Sequence, residues 1–356
     1  MNTKIKIIAI FTFSLFALAF FAPQGKMQTK QIETAGQHFK NIKVLNEMPA
    51  DQLGKVMNLM SASLGVNCNY CHIGEDFAKD GKEEKETARE MITMTLGLNK
   101  NNFGGRTEIS CNTCHQGHTH PQSAINFNAP PPEPRPKQPD IKPTIDQILM
   151  KYETAVGGKE NLAKITSRAI SANRVEPDGK TIEPEEILQK GDKLLIITKY
   201  PSATVTESFD GANAWKRVNA ENKILKPDEI EQIRRNAQIF AFTDLKTIYP
   251  KMDYRLTDKI DGREVYLVLA TTADNQRERL YFDADTGLLV RRVASTPTVL
   301  GNFQYQVDYT DYKDFDGVKL PTTIRYAMPN ISWTRKITEV KNNPPIDDVK
   351  FNQPTK

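Results

Sequence analysis

In the first third of the chain, apolar residues recur at the spacing of an amphipathic helix. The first run ends at Gly65 and consists of Leu53, Val56, Met57, Met60 and Leu64. A second helix is predicted from about 83 to 98, with its less polar side formed by Ala88, Met91, Ile92, Thr95 and Leu98. The pattern therefore predicts a mostly helical N-terminal domain, which we place at residues 30–121.

Beyond residue 144 the period changes from helical to alternating. Thr144 begins a capping-box sequence, and an apolar helical face follows it as far as Gly157. Half-buried strands are predicted at LLIITKY, EVYLVLATT, RERLYFDA, LLVRRVA, FQYQVDYTDY and TIRYAM. The turn dipeptides between such runs are Asp178-Gly179, Asp210-Gly211, Asp261-Gly262, Thr286-Gly287 and Asp316-Gly317. We expect an α+β domain over 144–352, an antiparallel sheet with helices on one side, including one at 227–240.

A proline-rich stretch, APPPEPRPKQPDIKP at 129–143, separates the two patterns. Proline has no backbone N–H to donate, so the stretch favours an extended polyproline conformation. We interpret residues 122–143 as a semi-rigid linker, which at ~3.1 Å per residue could hold two domains roughly 40 Å apart. The predicted fold class is therefore multidomain.

The N-terminus has the layout of an export signal. Lys4 and Lys6 precede an apolar run from Ile7 to Ala22 that is borderline in length for a membrane span. We interpret residues 1–25 as a signal peptide, with an uncleaved membrane anchor as the alternative. Both interpretations place the protein in the periplasm or another extracytoplasmic compartment. The net charge of +4, from 48 basic and 44 acidic residues, gives no indication of nucleic-acid binding.

All four cysteines of the chain lie in two copies of one motif, Cys-x-x-Cys-His. This is the attachment sequence of c-type haem. The two thiols add to the vinyl groups of a porphyrin, and the adjoining histidine coordinates the iron. The sequence therefore predicts two covalently bound haem c groups. The residues concerned are Cys68, Cys71, Cys111 and Cys114 for attachment and His72 and His115 for iron coordination.

Two other uses of paired cysteines compete with haem attachment. A four-cysteine zinc site usually has its pairs ~15 to 20 residues apart, whereas Cys71 and Cys111 are much more distant in the chain. Two local disulfides suit an exported protein, but they give no reason for a histidine after each pair. The repeated histidine favours haem over both alternatives.

The residue on the far side of each iron decides between electron transfer and ligand binding. The candidates are His38, Met48, Met57, Met60, Met91, Met94, His118 and His120. A helical methionine usually fills a core, and a loop histidine is usually solvated. Two methionine pairs, at 57/60 and 91/94, nevertheless fall on the two predicted helices that precede the motifs.

The run MNLMSASLGVNCNYCH, followed by AREMITMTLGLNKNNF and ISCNTCHQGHTHP, resembles the cytochrome c subunit of photosynthetic reaction centres over about residues 39–121. The resemblance implies that Met57 is the distal ligand of the first haem and Met91 that of the second, with Met60 and Met94 in reserve. It also implies a subunit that re-reduces a photo-oxidised primary donor. The family carries four haems and one histidine distal ligand, whereas this chain has two motifs and no histidine over 96–110.

The C-terminal domain resembles lipoprotein carriers of the LolA/LolB type. The resemblance rests on VGGKENLAKI, EVYLVLATTADNQRERLYFDADTGLLVRRV and VDYTDYKDFDGVKLPTTIRY. It implies a curved antiparallel sheet that wraps helices around an apolar cavity. This domain contains no histidine, and its serines and carboxylates form no catalytic arrangement.

These patterns together predict an electron carrier rather than an enzyme. Its partners would be a redox protein donor and acceptor, within a membrane-bound electron-transfer complex if the resemblance extends to assembly. One alternative is a di-haem redox enzyme of the peroxidase type, which needs an open position on one iron. The other is a hydrophobic-ligand or lipoprotein carrier with a haem regulatory domain, which would contact lipid or lipoprotein through the C-terminal domain.

Overall fold

The computed structural model describes residues 33–122, 124, 127–128, 136–242 and 244–354 of the 356-residue chain. The predicted signal segment, residues 1–25, lies outside the described residues. So does the first part of the proline-rich stretch of the predicted linker, at 129–135. Within the described ranges, no helix combines the length and the apolar character needed to cross a bilayer.

The N-terminal part is helical, as the sequence predicts. Its helices are α1 (Ala35–His38), α2 (Leu53–Leu64), α3 (Glu83–Asn102) and α4 (Cys111–His115), with short 3-10 turns at Ala50–Gln52 and Cys68–Tyr70. Helix α2 ends at Gly65, whose φ of 67° is the left-handed conformation that glycine adopts without strain. Helix α3 continues through Gly97 and ends later than predicted. We call the described residues 33–122 the helical module.

The core of the helical module is small. Its buried residues are Ala35, Leu45, Met48, Val56, Ile92 and Leu300. Met48 therefore fills the core. The predicted less polar side of α3 is only partly the buried side, because Ile92 and Thr95 are buried while Met91 and Leu98 are exposed.

The C-terminal part is an α+β fold built on a curved sheet of thirteen strands. Its helices are α5 (Ile145–Ala155), α6 (Gly158–Lys164), α7 (Pro227–Phe240) and α8 (Leu245–Ile248). The strands are β1 (Ser167–Val175), β2 (Ile182–Lys190), β3 (Lys193–Lys199), β4 (Thr204–Phe209), β5 (Ala214–Val218), β6 (Glu221–Lys223), β7 (Lys251–Ile260), β8 (Arg263–Thr271), β9 (Arg277–Asp283), β10 (Leu289–Thr298), β11 (Gly301–Phe315), β12 (Val318–Met328) and β13 (Ile331–Asn342). We call the described residues 136–354 the sheet module.

The sheet is formed by two antiparallel meanders that meet at β1 and β13. The strand order is β6-β5-β4-β3-β2-β1-β13-β12-β11-β10-β9-β8-β7. All six predicted strands and all five predicted turns are confirmed. At Asp261-Gly262 and Asp316-Gly317 both turn residues have positive φ, as a two-residue hairpin turn requires. The sequence missed β1, β2, β4, β5, β6, β7 and β13.

Helices α5, α7 and α8 pack on the sheet and contribute to two of its hydrophobic cores. Helix α7 begins and ends as predicted, and its Ala237 packs with Ile187 and Phe209. Helix α5 begins after Thr144, whose hydroxyl accepts a hydrogen bond from Gln147 N at 3.2 Å, so the predicted capping box is confirmed. A cavity of about 480 Å³ remains between α7 and the sheet.

The two modules share a core. Leu300, at the turn between β10 and β11, is 1% exposed and lies in the core of the helical module. Gly301 next to it faces Ser110, whose Cβ would lie 3.2 Å from a Cβ added to this glycine. At the end of the linker, the Gln138 side chain exchanges two hydrogen bonds with the backbone of Thr257 in β7. The helical module and the sheet module are therefore in direct contact.

Candidate haem sites

The first motif follows directly on the end of α2. After Gly65 the chain turns into a short 3-10 helix, where Asn67 Oδ1 accepts a hydrogen bond from Asn69 N at 3.1 Å. His72 N donates to Cys68 O at 3.0 Å, which places the histidine one turn beyond the first cysteine. Cys68 is exposed and Cys71 is half-buried. Both thiols are therefore close to the surface, on the same turn as the imidazole.

The imidazole of His72 is oriented by a backbone carbonyl. Its Nδ1 lies 3.1 Å from Phe77 O, and the Phe77 ring contacts the imidazole edge-on at 5.2 Å between centroids. A carbonyl can only accept, so Nδ1 carries the proton and Nε2 keeps its lone pair. Partial burial and the ammonium of Lys85 lower the pKa of His72 below its usual 6.5. The neutral form that binds a metal through Nε2 is therefore favoured.

The second motif has the same hydrogen-bond arrangement on a different turn. It forms the short helix α4, capped by Ser110 and Thr113. His115 Nδ1 lies 3.0 Å from His118 O, so Nε2 is again the free nitrogen. Cys111 is half-buried, and burial raises the pKa of its thiol. Both motifs thus present a histidine with the tautomer that haem ligation uses.

The two motifs are neighbours in space because α2 packs against α4. Gly117 N donates to Ser63 O at 2.8 Å, which ties the chain just after the second motif to the end of α2. A Cβ at Gly65 would lie 2.2 Å from Gly117 O, so a side chain cannot fit there. Glycine is therefore needed at 65 for two reasons. It ends α2 in the left-handed conformation, and it allows the two motifs to approach closely.

The four cysteines form no disulfide with one another. All four are free thiols. In the part of the chain that the structure describes, no three His, Cys, Asp or Glu side chains converge where they could hold a metal ion. The single four-cysteine zinc site considered from the sequence is therefore not formed, and neither are the two local disulfides.

The candidate distal ligands have different environments. Met57 and Met60, on α2, are half-buried against the helical core. Met91 and Met94, on α3, are 36% and 48% exposed. His38 is bound to Glu33 at 2.7 Å and ends the short helix α1. His118 contributes its carbonyl to His115, and His120 is exposed. The assignment of Met57 and Met91 as distal ligands stays a prediction.

Six large apolar side chains of the helical module are exposed. They are Phe39, Tyr70, Phe77, Met91, Met94 and Leu98. Tyr70 lies within the first motif, and the Phe77 ring contacts the imidazole of His72. A porphyrin ring is a large apolar surface, so these side chains and the free histidine nitrogens fit a haem group.

Sequence reasoning missed the groups that hold the histidines. The acceptors are backbone carbonyls, at Phe77 and His118, and a carbonyl leaves no mark on the residue type. Sequence reasoning also missed Lys85, which is buried on α3 and binds the loop after the first motif. A lysine among glutamates at the start of a helix suggests an exposed side chain, so no signal pointed to this role.

The sheet module contains a second candidate site, the cavity of about 480 Å³. Its lining combines aliphatic residues with tyrosines and charged pairs. Arg335 Nε lies 2.6 Å from Glu185 Oε2, and Arg335 Nη1 donates to the Tyr326 hydroxyl at 2.8 Å. The lining therefore offers both apolar and polar contacts to a ligand.

Comparison with known proteins agrees with the geometry of the motifs. Residues 15–146 match the family "Photosynthetic reaction centre cytochrome C subunit". The N-terminal part of the chain is therefore similar to the reaction-centre cytochrome family, as the sequence motifs indicate.

Individual relatives match the same region. The photosynthetic reaction center cytochrome c subunit of Roseobacter denitrificans is 33% identical over 109 residues, which are 28% of this chain and 29% of the relative. That of Rubrivivax gelatinosus is 33% identical over 105 residues, 28% of each chain. Cytochrome c-554 of Chloroflexus aurantiacus is 31% identical over 115 residues, 30% of this chain and 26% of the relative. The match thus spans less than a third of the length of each relative.

Solved structures resemble the sheet module. A LolA superfamily protein from Nitrosomonas europaea covers 60% of this chain and 99% of its own, with 13% identity and a TM-score of 0.44. A DUF1329 family protein from Desulfovibrio piger covers 58% of this chain and 97% of its own, with 15% identity and a TM-score of 0.42.

Proposed function

We propose that the protein is an exported c-type cytochrome that carries two haems and transfers electrons. The observation that carries the proposal is the repeated geometry of the two motifs. Each holds two free thiols and a histidine whose Nδ1 is bound to a backbone carbonyl. That arrangement leaves Nε2 for iron and suits no other use of the cysteines considered above.

Different residues of the chain would attach each haem and bind its iron. Cys68 and Cys71, and in the second motif Cys111 and Cys114, would form the thioether links. His72 and His115 would bind one side of the iron, and Met57 and Met91 the other, with Met60 and Met94 in reserve. When bound, haem iron supplies a one-electron redox couple whose potential a His/Met ligand pair keeps high. The protein supplies orientation and exclusion of water.

Location and partners follow from the same proposal. Residues 1–25 would direct export or anchor the chain, residues 30–121 would bind the haems, and the linker at 122–143 would lead into the domain at 144–352. The protein would receive electrons from one redox protein and pass them to another. A reaction-centre partner is the acceptor suggested by the names of the relatives. The proposal includes no enzymatic step.

Counting haems tests the proposal. The full chain, produced with the haem-attachment machinery, should show an intact mass increased by two haems and a pyridine haemochrome spectrum of c type. The Cys68→Ala/Cys71→Ala and Cys111→Ala/Cys114→Ala variants should each lose one haem. A colourless wild-type protein with four reactive thiols would refute the proposal. Carbon monoxide binding to the reduced wild-type protein would instead favour a peroxidase-like enzyme with an open iron.

The cavity in the sheet module supports a second candidate function. Its volume of about 480 Å³ is in the range of small-molecule sites, and its lining is mixed apolar and polar. The alternative is a carrier of a hydrophobic ligand whose haem module has a regulatory role. Native mass spectrometry of the full chain decides this point. A ligand that remains bound through purification and is lost in Ile187→Trp, which fills the cavity, supports the carrier. If each of the two proteins shows only its own ligand-free mass, the carrier is contradicted.

A further inference from the structure

The loop after the first motif is held by one buried lysine. Lys85, in the first turn of α3, is 9% exposed. Its Nζ donates to Phe77 O at 3.1 Å, Ala78 O at 3.1 Å and Lys79 O at 2.8 Å. It also lies 3.0 Å from Asp80 Oδ1. The ammonium group thus has its hydrogen-bonding capacity filled by this loop.

One of these carbonyls is the same oxygen that orients the proximal histidine. Phe77 O is 3.1 Å from Lys85 Nζ and 3.1 Å from His72 Nδ1. A carbonyl oxygen has two lone pairs and can accept both bonds. At the second motif His115 uses His118 O at 3.0 Å. The carbonyl at the first motif thus accepts a bond from a buried ammonium in addition to the bond with its histidine.

We propose that Lys85 is a positioning residue that raises the reduction potential of the first haem through Phe77 O and His72, and so makes the two haems unequal. This inference rests on the proposed function. A hydrogen bond from Nδ1 to a strong acceptor makes the imidazole a more basic ligand, which favours the oxidised iron. The ammonium draws electron density from the shared carbonyl and weakens that effect. Its positive charge acts in the same direction, because it disfavours the more positive oxidised state.

Lys85 belongs to a network of charged side chains around Asp80. Asp80 is the acidic group that binds Lys85, and its carboxylate is shared with Lys43 at 3.0 Å and Arg89 at 2.9 Å. Hydrogen bonds from Arg89, Lys43 and Lys85 hold the pKa of Asp80 far below its usual value. The carboxylate stays charged, and two of its cations, Lys43 and Arg89, also contact Glu86. Lys85 is the cation of this network that reaches Phe77 O.

Redox titration of the full two-haem protein tests the proposal. Lys85→Met removes the ammonium and keeps an unbranched side chain of similar length. We expect one of the two potentials to fall and the other to stay unchanged. The matched control is Lys43→Met, which removes a cation from the same carboxylate without touching Phe77 O. If Lys85→Met, with both haems attached and six-coordinate, moves the potential no further than Lys43→Met, the proposal is wrong.

A measurement on the wild-type protein keeps the test independent of the variant's folding. In the reduced, diamagnetic protein, the Nδ1 proton of His72 should resonate upfield of that of His115, because the shared carbonyl is the weaker acceptor. A His72 resonance at or downfield of that of His115 contradicts the proposal. A protein that carries no haem gives neither a haem reduction potential nor the resonances of haem-bound histidines. Failure of the proposed function is therefore distinguished from failure of this inference.

Discussion

The helical module and the sheet module achieve stability in different ways. The sheet module has several cores of its own and buries complete ion pairs, among them Arg335 with Glu185. The helical module has one small core, and Leu300 of the sheet module is part of it. It also exposes large apolar side chains, among them Tyr70 and Phe77 at the first motif. We therefore expect the helical module to depend on the sheet turn and, under the proposed function, on bound haem.

The largest effect should follow from removing both haems. Replacing all four cysteines by alanine leaves the apolar side chains of the helical module uncovered. The backbone amides of this module should therefore lose their protection from hydrogen exchange, while the sheet module stays folded. Hydrogen exchange read by mass spectrometry over 33–122 and 144–342 measures both. Equal protection of the helical module with and without haem would contradict the dependence.

Within the sheet module, the largest effect should come from Glu278. Its carboxylate is 1% exposed and accepts hydrogen bonds from Arg235 at 2.5 Å and Tyr249 at 2.5 Å, with Arg292 at 3.5 Å. Glu278→Gln leaves buried arginines without their counter-charge, which should cost about 3–5 kcal/mol of unfolding free energy. Denaturant unfolding followed by tryptophan fluorescence measures this loss.

The pH dependence sharpens the same prediction. Burial alone would raise the pKa of Glu278, but Arg292 and Arg235 outweigh it and lower the pKa below its usual 4.5. The ion-pair stabilisation is therefore present above the usual pKa and is lost as the pH falls towards the folded-state value. Glu278→Gln should lack this part of the acid destabilisation. A variant with the wild-type acid profile would show that another carboxylate is responsible.

A smaller effect is expected at the contact between the modules. Leu300→Ala removes a fully buried side chain from the helical core and should cost about 2–5 kcal/mol. The loss should appear in the helical module, although the substitution lies in the sheet. Leu256→Ala on β7 is the matched control, because that leucine is 38% exposed. If hydrogen exchange of α2 is the same in both variants, Leu300 does not stabilise the helical module.

Most of the local structure of both modules could be predicted from the sequence, because local chemistry decides it. Gly65 ends α2, Thr144 begins α5, and Asp261-Gly262 forms a hairpin turn, each through contacts within a few residues. Several of the strands that the sequence missed, β2 and β13 among them, carry polar residues that are buried by distant partners. In β2, Glu185 is only 5% exposed and forms an ion pair with Arg335. Arg335 lies 150 positions further along the chain. No local pattern reports such a pair.

The sequence by itself determined the chemistry, because attachment of a c-type haem needs two thiols and a histidine in a fixed order. It determined the two motifs, the helices before them and the change to a sheet after the prolines. Only the tertiary structure decided that Leu300 completes the helical core and that Lys85 shares a carbonyl with His72. The reason is physical. Core packing joins residues far apart in the chain, and backbone carbonyls, which every residue has, become specific acceptors only when folding places them.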